Sequence, residues 1–202
     1  MAKYKLTYFD FSGSRGEDCR MALFLAGADF EDHRVKSADW PKLKGSTPYG
    51  SMPVLETAGK PPLAQSNAIL NYLGQQYGLL PSDPWQAALH NAILVAVEEL
   101  RTTIFPTSKI ADEAEKKKAR AELADGYIKT WAANIEKQIQ GPFVAGETLT
   151  VTDLKLFTIM NWLSNGSLDH IPTDVLSPFP KLTALHQAVS AHPKIAEWRS
   201  RH

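Results

Sequence analysis

Hydrophobic and polar positions follow two different periods along the chain. Tyr4, Leu6 and Tyr8 alternate with Lys3, Lys5 and Thr7, and this period of two predicts a strand over residues 3–8. Phe11-Ser12-Gly13-Ser14 is turn chemistry. A helix is expected from about Arg15 to Ala26, with Met21, Leu23, Phe24 and Leu25 as its apolar content and Gly27 as its stop. Phe30 to Val35 reads as a second strand. Met52 to Glu56 and Pro62 to Ala64 read as short strands around the turn Ala58-Gly59-Lys60. Ser66 is then expected to cap a helix carrying Ile69, Leu70, Tyr72 and Leu73 and ending near Gly78. The order β-α-β, then β-β-α, implies one parallel pair and one antiparallel hairpin in a small mixed sheet with helices packed on it.

Past Leu79-Leu80-Pro81-Ser82-Asp83-Pro84 the pattern is almost entirely helical. Two prolines within four residues block helix continuation. The expected division is therefore an α/β unit over 1–80, a linker over 81–84 and an all-helical unit over 85–202. Asp83-Pro84 supplies an N-cap and a proline at the first helical position, and this helix should stop before Pro106. Asp112-Glu113-Ala114-Glu115 starts another, expected to reach about Gln140 before Gly141-Pro142. Lys116-Lys117-Lys118 sits among Glu113, Glu115 and Glu122, which marks a solvated, salt-bridged helix face. In Leu149-Thr150-Val151-Thr152-Asp153-Leu154, Thr150 and Asp153 form a capping box and the two leucines a hydrophobic staple. Short helices are expected around Pro180–Ala191 and Pro193–Arg201.

Composition narrows the function classes. Lys plus Arg and Asp plus Glu both number 22, so the formal net charge is zero, which argues against a nucleic-acid binder that works by neutralising phosphates. Hydrophobic residues make up 44% of the chain, as in a folded globular protein. Cys19 is the one cysteine, so neither an internal disulfide nor a Cys-rich zinc site is available. The N-terminus lacks the apolar core of a signal peptide, and no apolar run is long enough to cross a bilayer. A cytoplasmic protein with no membrane partner is the expectation.

Individual chemistry is sparse. Cys19 falls inside the first helix with no histidine nearby in sequence and reads as a structural thiol rather than a nucleophile. The six histidines form no i, i+4 pair, so no metal site is expected, and no P-loop, GxGxxG or GxSxG occurs. The informative grouping is Tyr8 at the end of the first strand, Arg15 on the following helix, Met52-Pro53 opening a strand, and Gln65-Ser66 where a strand becomes a helix. Ligands of open α/β sheets gather at such strand ends and helix N-termini.

Tyr8-Phe9, Arg15, Ala38-Asp39-Trp40-Pro41-x-Leu43-Lys44, Pro48-Tyr49-Gly50-Ser51-Met52-Pro53-Val54-Leu55 and Gln65-Ser66-Asn67-Ala68-Ile69-Leu70, in this order, resemble the cytosolic glutathione transferases. The resemblance covers essentially the whole chain, including the capping box at Thr150. Tyr4 to Tyr8, Glu31-Asp32-His33-Arg34 and the Ala-Asp-Trp motif are most similar to the sigma class. The resemblance implies a thioredoxin-like N-terminal domain, an all-helical C-terminal domain and a homodimer. Tyr8 matches the family's catalytic tyrosine. Arg15 is expected to add positive potential near the thiol, and Trp40, Lys44, Gln65 and Ser66 match glutathione-contacting positions. Met52, before an expected cis Pro53, matches the residue whose backbone pairs with the tripeptide. Glu98 or Glu99 matches an acidic position that reaches across the dimer, and Tyr49 an aromatic that inserts into the partner. An electrophile pocket is expected from Phe9, Phe11, Ser14, Arg101, Thr102 and Phe105. Glutathione is a co-substrate, and no other cofactor is implied. Two departures stand out: Asp10 to Ser14 is one residue longer than the common spacing, and Ser51 stands where related classes often carry Gln or Lys.

The activity implied is conjugation of glutathione to small hydrophobic electrophiles. The alternatives are a glutathione-dependent isomerase of the prostaglandin type, a peroxidase, or a non-enzymatic crystallin-like protein. Tyr8 weighs against the last, because a structural role needs no phenol at the thiol.

Overall fold

The computed structural model describes residues 2–201. Strand β1 (Tyr4–Phe9), helix α1 (Ser14–Leu25) and strand β2 (Phe30–Val35) form the expected strand-helix-strand unit, with β1 and β2 parallel. A parallel pair needs a long crossover, and α1 supplies it. Strand β3 (Val54–Thr57) runs antiparallel to β1, and β4 (Leu63–Ala64) antiparallel to β3, so the sheet order is β2-β1-β3-β4. Both hairpin strands start later than the sequence pattern suggests, because Pro53 and Pro62 have no N–H to give to a ladder. Between β2 and β3 lie a short helix α2 (Trp40–Leu43) and a 3-10 turn (Lys44–Ser46).

Helix α3 (Ser66–Tyr77) follows β4 and ends on Gly78 at φ 67°, the left-handed conformation that glycine adopts without cost. The expectation that Ser66 caps this helix is not met. Gln65 takes the capping position at φ 73°, and Ser66 is the first helical residue. Its hydroxyl accepts from Lys155 Nζ instead of capping.

In the helical half, α4 (Pro84–Ile104) starts at Asp83, whose carboxylate accepts from the Gln86 N–H at 2.8 Å. Helix α5 (Glu113–Leu123) starts at Asp112 in the same way and passes through a π-helical turn (Ala124–Ile128) into α6 (Lys129–Glu136). That run stops at Glu136 rather than Gln140, and the chain then forms a tight turn bridged between Phe143 and Gly146. Helices α7 (Val151–Ser164), α8 (Pro180–Ala191) and α9 (Pro193–Arg201) complete the chain.

Helix α7 is the axis of the core. Every residue from Val151 to Met160 is buried, the mark of a helix enclosed on all sides. It packs on α1, α4 and α8, so it touches both halves. Leu154, Leu156 and Ile159 are fully buried, each contributing about 1.5–3 kcal/mol by leaving water. The capping box forms as expected: Asp153 accepts from the Thr150 N–H at 2.8 Å. Asp153 also accepts from the Val144 N–H at 2.7 Å, tying the preceding turn to the helix. Helix α9 lies across α1. The Trp198 ring packs on Phe24 and Phe30, and its indole N–H donates to Glu17 at 2.6 Å.

Candidate functional site

Strand register brings four segments to one end of the sheet. Tyr8 pairs with Arg34, Thr7 with Val54, and Val54 with Ala64. That end therefore holds Tyr8, the chain leaving β2 toward Trp40 and Lys44, the cis Met52-Pro53 bond ahead of β3, and Gln65-Ser66 after β4. Helices α1 and α3 also begin there, with their first N–H groups and positive dipole ends toward the same edge. Ser14 and Gln65, at those two starts, adopt φ of 56° and 73°. Such non-glycine strain is held only by its surroundings and clusters at ligand sites.

Tyr8 is only 5% exposed. It forms a small cluster with Val35 and Met52, against which Phe9, Trp40 and Leu43 pack. The Tyr8 ring meets Phe9 and Phe11 at centroid distances of 5.5 and 5.7 Å, and the Arg20 guanidinium lies 5.7 Å from it. Burial pushes the Tyr8 phenol above its ordinary value, against the opposing pull of the Ser14 hydroxyl and the Arg15 and Arg101 charges. The group is therefore a neutral O–H, a donor, at neutral pH.

A buried polar network runs from Tyr8 to Ser66. Ser14 bonds the phenol and accepts from Arg101 at 3.2 Å. Arg101 also donates to Thr158 at 3.2 Å, and Thr158 donates to Asp18. Arg15 donates to Glu98 at 2.7 Å, and Lys155 donates to the other Glu98 oxygen at 2.5 Å. Burial by itself would raise the Glu98 carboxyl, but Lys155, Arg15 and Arg101 hold it below its ordinary value.

Beside Tyr8 opens a cavity of about 970 Å³ between the two halves. Phe9, Phe11, Ser14, Arg101, Thr102 and Phe105 all line it, together with Tyr8 and Arg15. Its inner wall comes from α7 and α9: Phe157, Thr158, Asn161, Trp162 and Arg199. Aromatic faces from Tyr8, Phe9, Phe11, Phe105, Phe157 and Trp162 are interleaved with polar and charged groups, among them Glu17, Asn161 and Arg199, a mixed lining suited to a small molecule with both apolar and polar parts.

Trp40, Lys44, Met52, Gln65 and Ser66 lie outside this chamber, along the sheet edge beyond Tyr8. Glu98 and Glu99 separate: Glu98 is turned inward to Arg15 and Lys155, and Glu99 is exposed. Cys19 is fully buried and burial raises its thiol, as fits a structural role. Among the described residues, Glu113, Asp169 and His170 come together at the surface, but their carboxylates are engaged by Lys116, Arg120 and His170 itself.

Three residues at the site carry no signal in the sequence pattern. Gly16 presents its α-carbon to the Tyr8 ring. Arg20, fully buried, donates to the Phe9 and Phe11 carbonyls at 3.0 and 2.9 Å and to Asp32 at 2.8 Å, fixing the loop after Tyr8. Lys155 sits inside α7. Gly16 and Arg20 sit in a mostly polar stretch that hides them, and Lys155 differs only in interrupting the apolar run Leu154 to Phe157.

The family models for the glutathione S-transferase N-terminal and C-terminal domains match residues 4–75 and 98–202. The chain is 33% identical to glutathione S-transferase 1 of Ascaris suum, over 98% of this chain and 96% of that protein. It is 32% identical to the hematopoietic prostaglandin D synthase of Gallus gallus, over 98% and 96% of the two chains. The solved structure of prostaglandin synthase D of Nilaparvata lugens superposes with a TM-score of 0.87 at 31% identity, covering 99% of this chain and 98% of that one. A thioredoxin-like sheet unit, an all-helical unit and full-length similarity agree: the chain belongs to the glutathione S-transferase family.

Proposed function

We propose that this protein is a tyrosine-type transferase, most similar to the sigma class, that ionises the glutathione thiol beside Tyr8 and conjugates it to small hydrophobic electrophiles. The carrying observation is the position of Tyr8, a buried neutral phenol shared by the sheet edge and the chamber. A free thiol has a pKa of about 8.5. A hydrogen bond donated to its thiolate is worth about 1.5–3 kcal/mol, which lowers that value by roughly one to two units. Tyr8 thus acts by donating, not by removing a proton. Arg15 and Arg101 add positive potential.

The tripeptide lies along the sheet edge. Its glycyl carboxylate goes to Lys44 and Trp40, its cysteinyl backbone to Met52 ahead of Pro53, and its zwitterionic γ-glutamyl end to Gln65 and Ser66. The electrophile occupies the chamber formed by Phe9, Phe11, Ser14, Arg101, Thr102 and Phe105. Exposed Trp85, Leu89 and Val95 follow a helical stripe along α4 that ends at Glu99, and Tyr49 is 70% exposed on its loop. These surfaces fit a two-fold homodimer in which Glu99 meets the partner's glutathione ammonium. A cytoplasmic setting suits this chemistry.

Isomerisation of a bulky endoperoxide is the second reading. The chamber is at the large end for a small-molecule pocket, and two of the similar proteins are named prostaglandin D synthases. The test is Tyr8→Phe assayed with a chromogenic electrophile and with a prostaglandin endoperoxide. Conjugation should fall by about 10–100-fold, with the pKa of bound glutathione moving up toward that of the free thiol. Full conjugation in the variant would overturn the role of Tyr8.

A further inference from the structure

Lys155 is fully buried in α7. An ammonium so deep costs several kcal/mol unless its surroundings compensate. Its three neighbours come from three other helices: Glu98 of α4 at 2.5 Å, Ser66 of α3 at 3.2 Å and Asp18 of α1 at 3.5 Å. The two acids are shared. Glu98 also pairs with Arg15 and lies 3.8 Å from Arg101, while Asp18 lies 3.8 Å from Arg101. Three cations thus share two carboxylates, and one positive charge is left over; Lys155, Asp18 and Arg101 are buried, while Arg15 and Glu98 reach partly to solvent.

Ser66 is where this surplus reaches the sheet edge. Its oxygen accepts from Lys155, so the hydroxyl proton is left to donate to another acceptor at the first turn of α3. The first N–H groups of α3 lie at the same place, and no side chain caps them. A donating hydroxyl, helix N–H groups and a buried cation behind them are arranged for one anion.

We infer that Lys155 is a positioning residue for glutathione: it sets the Ser66 hydroxyl as a donor and places a positive charge behind it for the γ-glutamyl α-carboxylate. This rests on the reading of the sheet edge as the tripeptide site. The carboxylate meant is the one at the Gln65-Ser66 end, because Lys44 stands at the other end of the site and takes the glycyl carboxylate. Lys155 does not reach the thiol, so its contribution is to binding and not to thiolate formation.

The test compares glutathione with an analogue in which hydrogen replaces the γ-glutamyl α-carboxylate. Isothermal titration gives affinities, and steady-state kinetics give KM and kcat. Lys155→Met should weaken glutathione binding and raise its KM by about tenfold. kcat at saturation, the KM for the electrophile and the pKa of the bound thiol should stay within twofold. Lys155→Arg should recover most of the affinity. The wild-type protein should bind the analogue about tenfold more weakly than glutathione, and Lys155→Met should bind it as well as the wild type does. Should Lys155→Met not fold, Lys155→Met/Asp18→Asn removes both charges and is read in the same way. Equal losses for glutathione and the analogue, or unchanged glutathione affinity, overturn the inference and leave the proposed function standing. A wild-type protein that binds neither ligand overturns both.

Discussion

Gly16 lies so close to Tyr8 that a Cβ at this position would stand 1.9 Å from Cδ1 and 2.2 Å from Cγ of the ring. Helix α1 rests on the tyrosine by its bare backbone. Gly16→Ala should raise helix propensity by about 1 kcal/mol, yet overpacking costs about 1–3 kcal/mol. The ring has no room to yield, since Phe9, Phe11 and Arg20 flank it. The expected outcome is a lower melting temperature together with a conjugation rate reduced at least about tenfold. A higher melting temperature with full activity would show that the helix shifts freely.

Asp153 stands at the opposite pole, in stability rather than chemistry. Its carboxylate serves the Val144 and Thr150 N–H groups and the Thr150 hydroxyl, all within 2.8 Å and all buried. Asp153→Ala orphans two buried backbone donors and should cost about 2–4 kcal/mol. For a chain of this size that corresponds to a fall of roughly 5–15 °C in Tm. Turnover per folded site, measured by active-site titration, should be unchanged. Normal Tm with lost turnover would make Asp153 catalytic.

Acid should loosen the helical half through its histidines. Burial holds His90 below its ordinary value, with Nδ1 2.9 Å from the Thr152 hydroxyl. Burial, then the Arg199 charge, does the same to His186. Both are neutral in the folded chain, whereas the unfolded chain takes up protons below about pH 6.5. Stability is therefore level above that pH and falls as pH drops below it. Melting temperatures from pH 8 to 5 should bend downward near pH 6.5, and His90→Gln should flatten part of the slope. An unchanged slope in the variant would remove His90 from this account.

Periodicity revealed the sheet unit because β1 alternates cleanly and α1 ends on a glycine; these signals are local. The residues it left unread owe their meaning to a neighbour from elsewhere in the chain. Gly16 looks like a blemish in a helix until Tyr8 is placed beneath it. Lys155 interrupts an apolar run, and only the meeting of α1, α3 and α4 shows what it answers. Ser66 has the chemistry of a cap, but a tertiary bond to Lys155 claims its oxygen. Glu98 and Glu99 are equivalent on paper, and one step around α4 separates an inward ion pair from an exposed side chain.

The bond between Trp198 and Glu17 spans 181 positions. At roughly 5–20 residues per second, a ribosome makes the acid about 10–35 s before the indole that covers it. Throughout that interval Phe24 and Phe30 lack their aromatic lid, and α1 also waits for α7. The half that carries the tyrosine is thus translated first and finished last, and a nascent chain stalled short of α9 presents an unsealed apolar face to chaperones.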